Sequence, residues 1–348
     1  MMFNQIVKNR WEWENWLQEV NCDAYDHYDY VLANCEPGEQ PELYIAAKDD
    51  GILIYPYIRR PVAHRYDDLV TAYGYGGPFR EGNFTNEDVR EARKLFLQRP
   101  ENQATVTETI RYHPCRLDPD LMRAFGRAVP IRQTVHVRID DSFEQLEQRF
   151  SKMTKRNVKR AIREQVTVAR GQAHELCEFI RLYRATMDRR AANDVYYFPD
   201  RYFEDLWNSD TCETELLFAV HDGVIVAGVF MLFGDDGAHY HLGGSDADYL
   251  ALRPNHFLFR EMIRRAVEKD KAYVHLGGGA TGEDALYDFK QSFSGDEPLT
   301  YYIGQAVLDE VVYHRLNQDH LLRYGPSDFF PLYRTPVAET VTEVQAER

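Results

Sequence analysis

Two stretches of the chain alternate apolar and polar residues about a tight turn. In LYIAAKDDGILIYPYI (43–58) the runs flank an acidic-glycine turn, and in LLFAVHDGVIVAGVFMLF (216–233) they flank Asp222-Gly223. Both read as β-hairpins. Each is followed by Y-x-x-G-G, in YGYGG (73–77) and in YHLGG (240–244). Two features in one order, about 170 residues apart, predict a duplicated domain.

Around the hairpins the period shifts from two to about 3.6. An amphipathic, Trp-rich helix is expected at 11–20 and another at 86–98, with a strand at 134–139. Beyond Asp140-Asp141, helices are expected in SFEQLEQRF and SKMTKRNVKRAIREQ, at 174–190, and after Pro254. YYIGQAVLDEVVYHRLNQ adds a strand and a helix, and the polar end ETVTEVQAER is expected to be loose. The class is α+β, with a first domain at 1–140 and a second at 141–305. The tail, 306–348, is expected to pack back on the first.

At 348 residues the chain can bury two cores, and 44% hydrophobic with 28% charged residues is ordinary for a globular protein. The net charge of −15 repels polyanions on average. That argues against general nucleic-acid or anionic-membrane binding, yet leaves room for one local basic site. Cys22, Cys35, Cys115, Cys177 and Cys212 are scattered, odd in number and without C-x-x-C. Neither a disulfide framework nor a zinc cluster is indicated, and a reducing cytoplasm is expected. The N-terminus has no apolar signal core, and the longest apolar run, VIVAGVFMLF (224–233), is too short to span a bilayer.

The stretch AYVHLGGGATGEDALYDFKQSF (272–293) poses a choice. Gly277, Gly279 and Gly282 fit G-x-G-x-x-G, and Glu297 follows Gly277 by about 20 residues, the spacing of an acid on a ribose. Against a dinucleotide cradle, the loop comes late in the chain and the helix after it is short. Thr281 and Asp284 match a capping box. The favoured reading is a tight strand-to-helix turn where backbone approaches another group closely. On that helix Leu286, Phe289 and Phe293 form an apolar stripe, and Lys290 lies roughly 65° from its middle. Two readings of Lys290 stand: a snorkelling cation whose stem covers the core, or a cation at a cavity rim, placed to stabilise an oxyanion.

The basic run Lys152, Lys155, Arg156, Lys159, Arg160 and Arg163 spans about 140° of a helix, opposite Val158, Ala161 and Ile162. A solvated face and a phosphate-binding stripe both account for it. Alternation puts His239 and His241 on one strand face, but no third metal ligand sits at a diagnostic spacing. Structural or solvent-facing roles are favoured for these two and for His256 and His275, and no metal is expected. No G-x-S-x-G, H-E-x-x-H or P-loop occurs.

Several pieces, taken in order, resemble the Fem (FemABX) aminoacyltransferases and their bacterial relatives, which are built from two GNAT-type domains. They are YDDLVTAYGYGGPF, KMTKRNVKRAIRE, FIRLYRATMDRR, LFAVHDGVIVAGVFML, YHLGGSDADYLALRPNHFLFREMIRRA, HLGGG with DALYDFKQSFSG, and FFPLYR, with Tyr196 and Tyr202-Phe203 between. The likeness covers about 68–334. It implies two tandem GNAT-like domains of the compact type, without the coiled-coil arm of some members. It also implies that Phe289 packs by the donor's terminal adenosine and that Lys290 steadies the tetrahedral intermediate. Within these pieces Tyr73, Tyr75, Arg189, Tyr196, Tyr240, Ser245 and Asn255 are expected to bind substrate. The basic run, through Lys152, Lys155, Arg156, Lys159 and Arg160, is expected to meet phosphates of RNA.

The pattern departs from the ordinary GNAT pyrophosphate loop Q/R-x-x-G-x-G/A, whose place is taken by LALRPNHFL. The resulting reading is an N-acyltransferase that uses aminoacyl-tRNA as co-substrate and needs no other cofactor. The acceptor is an amine of a cell-wall peptide precursor or a small molecule. The alternative is an acyl-CoA-dependent enzyme acting on an amino sugar or natural-product amine. No general base is assigned; Asp284, Tyr240 and His241 lie nearest in motif order.

Overall fold

The structure is a computed structural model that describes residues 2–336 except 64 and 281. The turns of both predicted hairpins are where the alternation places them, and the strands run up to three residues beyond the predicted ends. After an edge strand that the pattern does not flag, β1 (Phe3–Val7), come β2 (Gln40–Lys48) and β3 (Gly51–Pro61). β4 (Asp67–Val70), the short β5 (Phe79–Glu81) and β6 (Thr105–Arg111) follow. β7 (Arg127–Arg138) extends well N-terminal of the predicted 134–139, and β8 (Thr167–Arg170) is a further short edge strand. The second hairpin is β9 (Glu213–His221) and β10 (Val224–Phe233), with Asp222 and Gly223 at φ +49 and +76, as a two-residue turn of primed type requires. β11 (Gly237–Ser245), β12 (Tyr273–Gly278) and β13 (Leu299–Val307) complete the set.

The strands form one sheet in the order β1-β2-β3-β4-β6-β13-β7-β12-β11-β10-β9-β8, with β5 on β3. Each half repeats one order: an antiparallel hairpin, a third strand, a crossover helix, then a parallel strand. In the first half the helix Asn86–Gln98 lies between β4 and its parallel partner β6, and in the second the helix Pro254–Glu268 lies between β11 and β12. The next strands then cross over. β7 pairs with β12 of the second half, while β13 pairs with β6 of the first, and β7 and β13 pair with each other. Tyr333 and Arg334 bond Asp68 at the end of the described chain; ETVTEVQAER lies outside the described residues.

Three cores result. One, with Phe96 and Tyr55, lies under the helix Asn86–Gln98, and a second, with Met262 and Phe293, lies under Pro254–Glu268. The third joins Trp13 and Tyr30 of the first half to Phe179, Phe203 and Phe230 of the second. The first helix is Arg10–Leu17, shorter than predicted, because Asn9 caps it by accepting from Glu12 N–H and Trp13 and Leu17 complete its buried face. All five cysteines are unpaired. No described helix is long and apolar enough to cross a membrane.

Candidate active site

β11 and β12 pair only over Gly237–Tyr273, Ala238–Val274 and His239–His275. Past that register β11 runs on along β10 to Ser245, and β12 along β7 to Gly278. Their inner edges therefore diverge into a wedge that opens beyond His239 and His275. Among the described residues no ladder bond spans it, and side chains take several of the backbone groups at its ends: Thr186 and Arg189 those of Ser245, and Lys290 the Gly278 carbonyl.

The glycine loop leads from β12 into the helix Ala285–Gln291. Gly277 has φ +74, and a Cβ on Gly279 would stand 2.2 Å from the Gly282 carbonyl oxygen and 2.4 Å from Asp284 Oδ1. These glycines serve a tight turn. The capping differs from the predicted box: Asp284 is itself the N-cap, accepting from Leu286 and Tyr287 N–H, and Thr281 lies outside the described residues. The buried face is also rotated from the predicted stripe. Tyr287, Lys290 and Phe293 are buried, while Leu286 and Phe289 are half-buried.

Lys290 is thus an interior residue, neither snorkelling nor exposed on a rim. It is 5% exposed, its Nζ donates to the Gly278 carbonyl at 2.7 Å, and it lies 5.1 Å from the Tyr240 ring centroid. Burial is the main cause that lowers its pKa to about 7, with Arg132 adding and Asp284 opposing. A Cβ on Gly277 would meet Lys290 Nζ at 3.4 Å and Tyr75 Oη at 3.5 Å. The missing side chain leaves a gap between an ammonium and a phenol at the mouth of the wedge.

The predicted substrate residues fall into groups. Tyr75 and Tyr240 converge on Lys290 as described, and Phe289 joins them through Phe259, with ring centroids 4.8 Å from Phe289 to Phe259 and 4.8 Å from Phe259 to Tyr240. Tyr73 packs edge-on against Tyr196 at 6.3 Å and against His241 at 6.0 Å. Arg189, Ser245 and Asn255 form a separate cluster at the end of β11, where Arg189 donates to the Ser245 carbonyl at 3.0 Å. None of the three candidate bases is poised. Asp284 is occupied as a cap, burial raises Tyr240 to about 12, and burial lowers His241 to about 3, with its Nε2 on the Tyr202 hydroxyl at 2.8 Å.

The basic run is the helix Lys152–Arg163, but its buried face is Thr154, Val158 and Ala161, with Ile162 half exposed. Ser151 N–H donates to Ser292 O at 2.8 Å, and Thr154 Oγ1 donates to Ser292 Oγ at 2.6 Å. Asn157 bonds His256 at 3.0 Å, and that ring stands edge-on to Phe289 at 5.0 Å. The cationic helix therefore starts against the segment that carries Lys290. Lys152, Arg156, Lys159 and Arg163 are exposed, whereas Lys155 donates to the Gln148 carbonyl and Arg160 lies near Glu164.

Sequence reasoning missed the polar cluster beneath the wedge. Asp23, His113 and His239, all buried, place ligand atoms within 4.8 Å of one another, a spacing a metal could use. The hydrogen bonds argue for another role. Cys115 N–H donates to His113 Nδ1, which puts that ring's proton on Nε2, the atom facing Asp23 at 3.4 Å. His239 Nε2 lies 2.9 Å from Asp23, its Nδ1 has no partner, and Tyr273 O–H donates to Asp23 at 3.1 Å. A ligating histidine normally donates its other N–H. Here neither does, and the group reads as a carboxylate held by two hydrogen bonds, from His239 and Tyr273, and faced by the His113 ring. A separate cleft of about 280 Å³, lined by Asn21, Arg80, Cys115, Asp236 and Tyr273, reaches Asp23 from the far end of the sheet and does not include Lys290.

The fold has counterparts among known proteins. Residues 148–291 match the family described as an acetyltransferase (GNAT) domain. The fold is similar to a crystal structure of FemX, with TM-score 0.70 at 14% identity, covering 89% of this chain and 99% of that one. It is also similar to a conserved protein of unknown function from Bacteroides thetaiotaomicron, with TM-score 0.57 at 11% identity, covering 87% and 99%. A third likeness is to the C-terminal domain of a putative lysylphosphatidylglycerol synthetase from Agrobacterium fabrum, with TM-score 0.55 at 14% identity, covering 90% and 96%. No curated protein sequence matches. The chain is an acyltransferase of the GNAT fold, and its overall fold is FemX-like.

Proposed function

We propose that the protein transfers an aminoacyl group from aminoacyl-tRNA to an amine of a cell-wall precursor or small molecule, and that it consists of two GNAT-like units, 1–140 and 141–305. The observation that carries the donor is the bonding of the basic helix to Ser292 and, through His256, to Phe289. A terminal adenosine can stack on an aromatic ring while a local cationic strip meets the flanking phosphates, even on a chain of net charge −15. Coenzyme A would need N–H donors at the start of the helix Pro254–Glu268, where Pro254 supplies none and Arg253 precedes it at φ +65.

In the reaction the acceptor nitrogen attacks the ester carbonyl, the C–N bond forms, and the C–O bond to the ribose breaks. The nitrogen's proton ends on the departing ribose oxygen. Lys290 donates to the carbonyl oxygen as charge develops on it, and holding the two substrates in one wedge supplies much of the acceleration.

Ribonuclease treatment is expected to abolish transfer in a reconstituted assay with charged tRNA, with acetyl-CoA competing poorly. The acetyltransferase family match favours the alternative, an acyl-CoA enzyme for an amino sugar or natural-product amine. Full activity with acyl-CoA after ribonuclease would establish that alternative in place of this reading. The strip has its own test. Lys155, Arg156 and Lys159 changed together to Gln should weaken RNA binding and flatten its salt dependence by roughly 0.7–0.9 of a logarithmic unit per lost phosphate contact. An unchanged slope would make the helix a solvated face.

A further inference from the structure

Buried or half-buried arginines of this chain are generally matched by carboxylates. Arg59 meets Glu42 and Asp67, Arg93 meets Glu108, and Arg116 meets Asp26. Arg111 and Arg132 are exceptions. Both are half-buried, and among the described residues neither has an ion pair. Arg111 Nη1 donates to the Thr71 carbonyl at 2.6 Å, and Arg132 Nη1 donates to the carbonyls of Gly279 and Ala280 at 3.0 and 3.3 Å.

The sheet register sets the two together. β6, β13 and β7 are neighbours, Tyr301 pairs with Arg132, and Ile303, two residues on, pairs with Arg111. Alternate residues share a face, so Arg111 lies diagonal to Tyr301 and Arg132 lies opposite it. Both guanidiniums act on the Tyr301 hydroxyl, and Arg111 also acts on Tyr73. Beside them Arg60 and Arg334 share the single carboxylate of Asp68. In an acidic protein this is a local surplus of positive charge facing the predicted substrate tyrosines. Half-desolvated guanidiniums without a counter-charge are costly, and their forked donors suit carboxylate and phosphate oxygens.

We infer that Arg111 and Arg132, set about Tyr301, form a clamp for an anionic group on the acceptor, a carboxylate or a phosphate. The inference rests on the acyl-transfer reading in assigning the anion to the acceptor. The clamp also limits the acceptor's size. Lys290 and Arg132 hold the carbonyls of consecutive residues, Gly278 and Gly279. Consecutive Cα atoms are about 3.8 Å apart, so the two cationic heads lie on the order of 10 Å apart or less. An anion on Arg132 and an amine attacking a carbonyl polarised by Lys290 are then only a few bonds apart. That describes an amino acid or amino phosphate, or a terminus of that kind.

Calorimetric titration of the full chain tests this, using glycine and aminomethylphosphonate as probes and glycinamide as the control lacking the anion. Saturable binding of either anionic probe, absent for glycinamide and weakened tenfold or more by Arg111→Gln and by Arg132→Gln, is expected. The glutamine amides keep a donor for the backbone carbonyls, and Arg111→Lys should recover part of the affinity. The preferred probe identifies the anion as carboxylate or phosphoryl. Equal binding of glycinamide, no binding of either anionic probe, or binding unchanged in both glutamine variants would overturn the clamp. The titrations contain no donor, so that failure leaves the acyl-transfer reading standing. Anion binding with no transfer to any amine in a mass-spectrometric acceptor screen would instead overturn that reading and the assignment of the anion to an acceptor, and leave the anion clamp standing.

Discussion

Lys290→Met is expected to fold and to transfer acyl groups about 100-fold more slowly, or worse. The methionine keeps the length and apolar bulk of the stem and removes one donor aimed at the developing oxyanion, a loss of that size when the donor is preorganised and dry. The same burial makes opposite demands on stability. The lysine's pKa falls from 10.5 to about 7 in the fold, chiefly through desolvation. Between those values the unfolded chain binds more protons, so wild-type stability rises with pH across that window and the penalty is fully present below about 7. A shift of that size is worth at most about 5 kcal/mol. Losing the bond to the Gly278 carbonyl offsets roughly 1–3 kcal/mol of it. At pH 6 the variant's melting temperature should therefore equal or exceed that of the wild type. With Lys290 acting as the cation, wild-type kcat/KM should fall as pH rises through about 7. Near-normal turnover in the variant, or a rate that climbs through that pH, would remove Lys290 from the role of charged donor.

Local patterns were legible and long-range ones were not. Both hairpins, the helix Asn86–Gln98 and the turn into the Lys290 helix follow from residues within one or two turns of each other. The edge strands β1 and β8 are short and only weakly alternating, and pairing rather than pattern makes them strands. The crossing of β7 and β13 depends on register between segments far apart in sequence. Lys290 was recognisable as unusual, but its burial was not, because the helix is rotated so that Tyr287 rather than Leu286 faces in. On the basic helix Thr154 takes the inward position expected for Ile162, since its hydroxyl has Ser292 to bond. The His239 and His241 alternation was visible; the partner that gives His239 its role is Asp23, 216 positions away.

That partner carries the other large expectation: Asp23→Ala should lose about 3–5 kcal/mol of stability, the usual cost of breaking a buried charged network from one side. Asp23 is 3% exposed, accepts hydrogen bonds from His239 and Tyr273, and faces His113 Nε2 at 3.4 Å, so that three distant segments meet at it. Burial pushes its carboxyl pKa up, but the facing histidines outweigh this and hold it well below the usual carboxylate range. The neighbouring backbone adds to the same junction: Cys22 N–H donates to Asp235 Oδ2 and Asp235 N–H donates to the Cys22 carbonyl. Asp23 therefore ties the start of the first half to β11 and β12 just below the wedge. Alanine would leave the donors of His239 and Tyr273 without an acceptor and remove the charge that His113 faces. Asn should lose less, because its amide oxygen still serves His239 Nε2–H while its NH2 can turn to the Tyr273 hydroxyl oxygen. With the folded pKa depressed, the carboxylate's contribution is present above about pH 4 and is lost as acid titrates it, so the alanine variant should also be less sensitive to acid than the wild type. Urea unfolding at pH 7 and pH 3 measures both effects. An Asp23→Ala midpoint close to wild type at pH 7 would mean that the two halves are held together without this carboxylate.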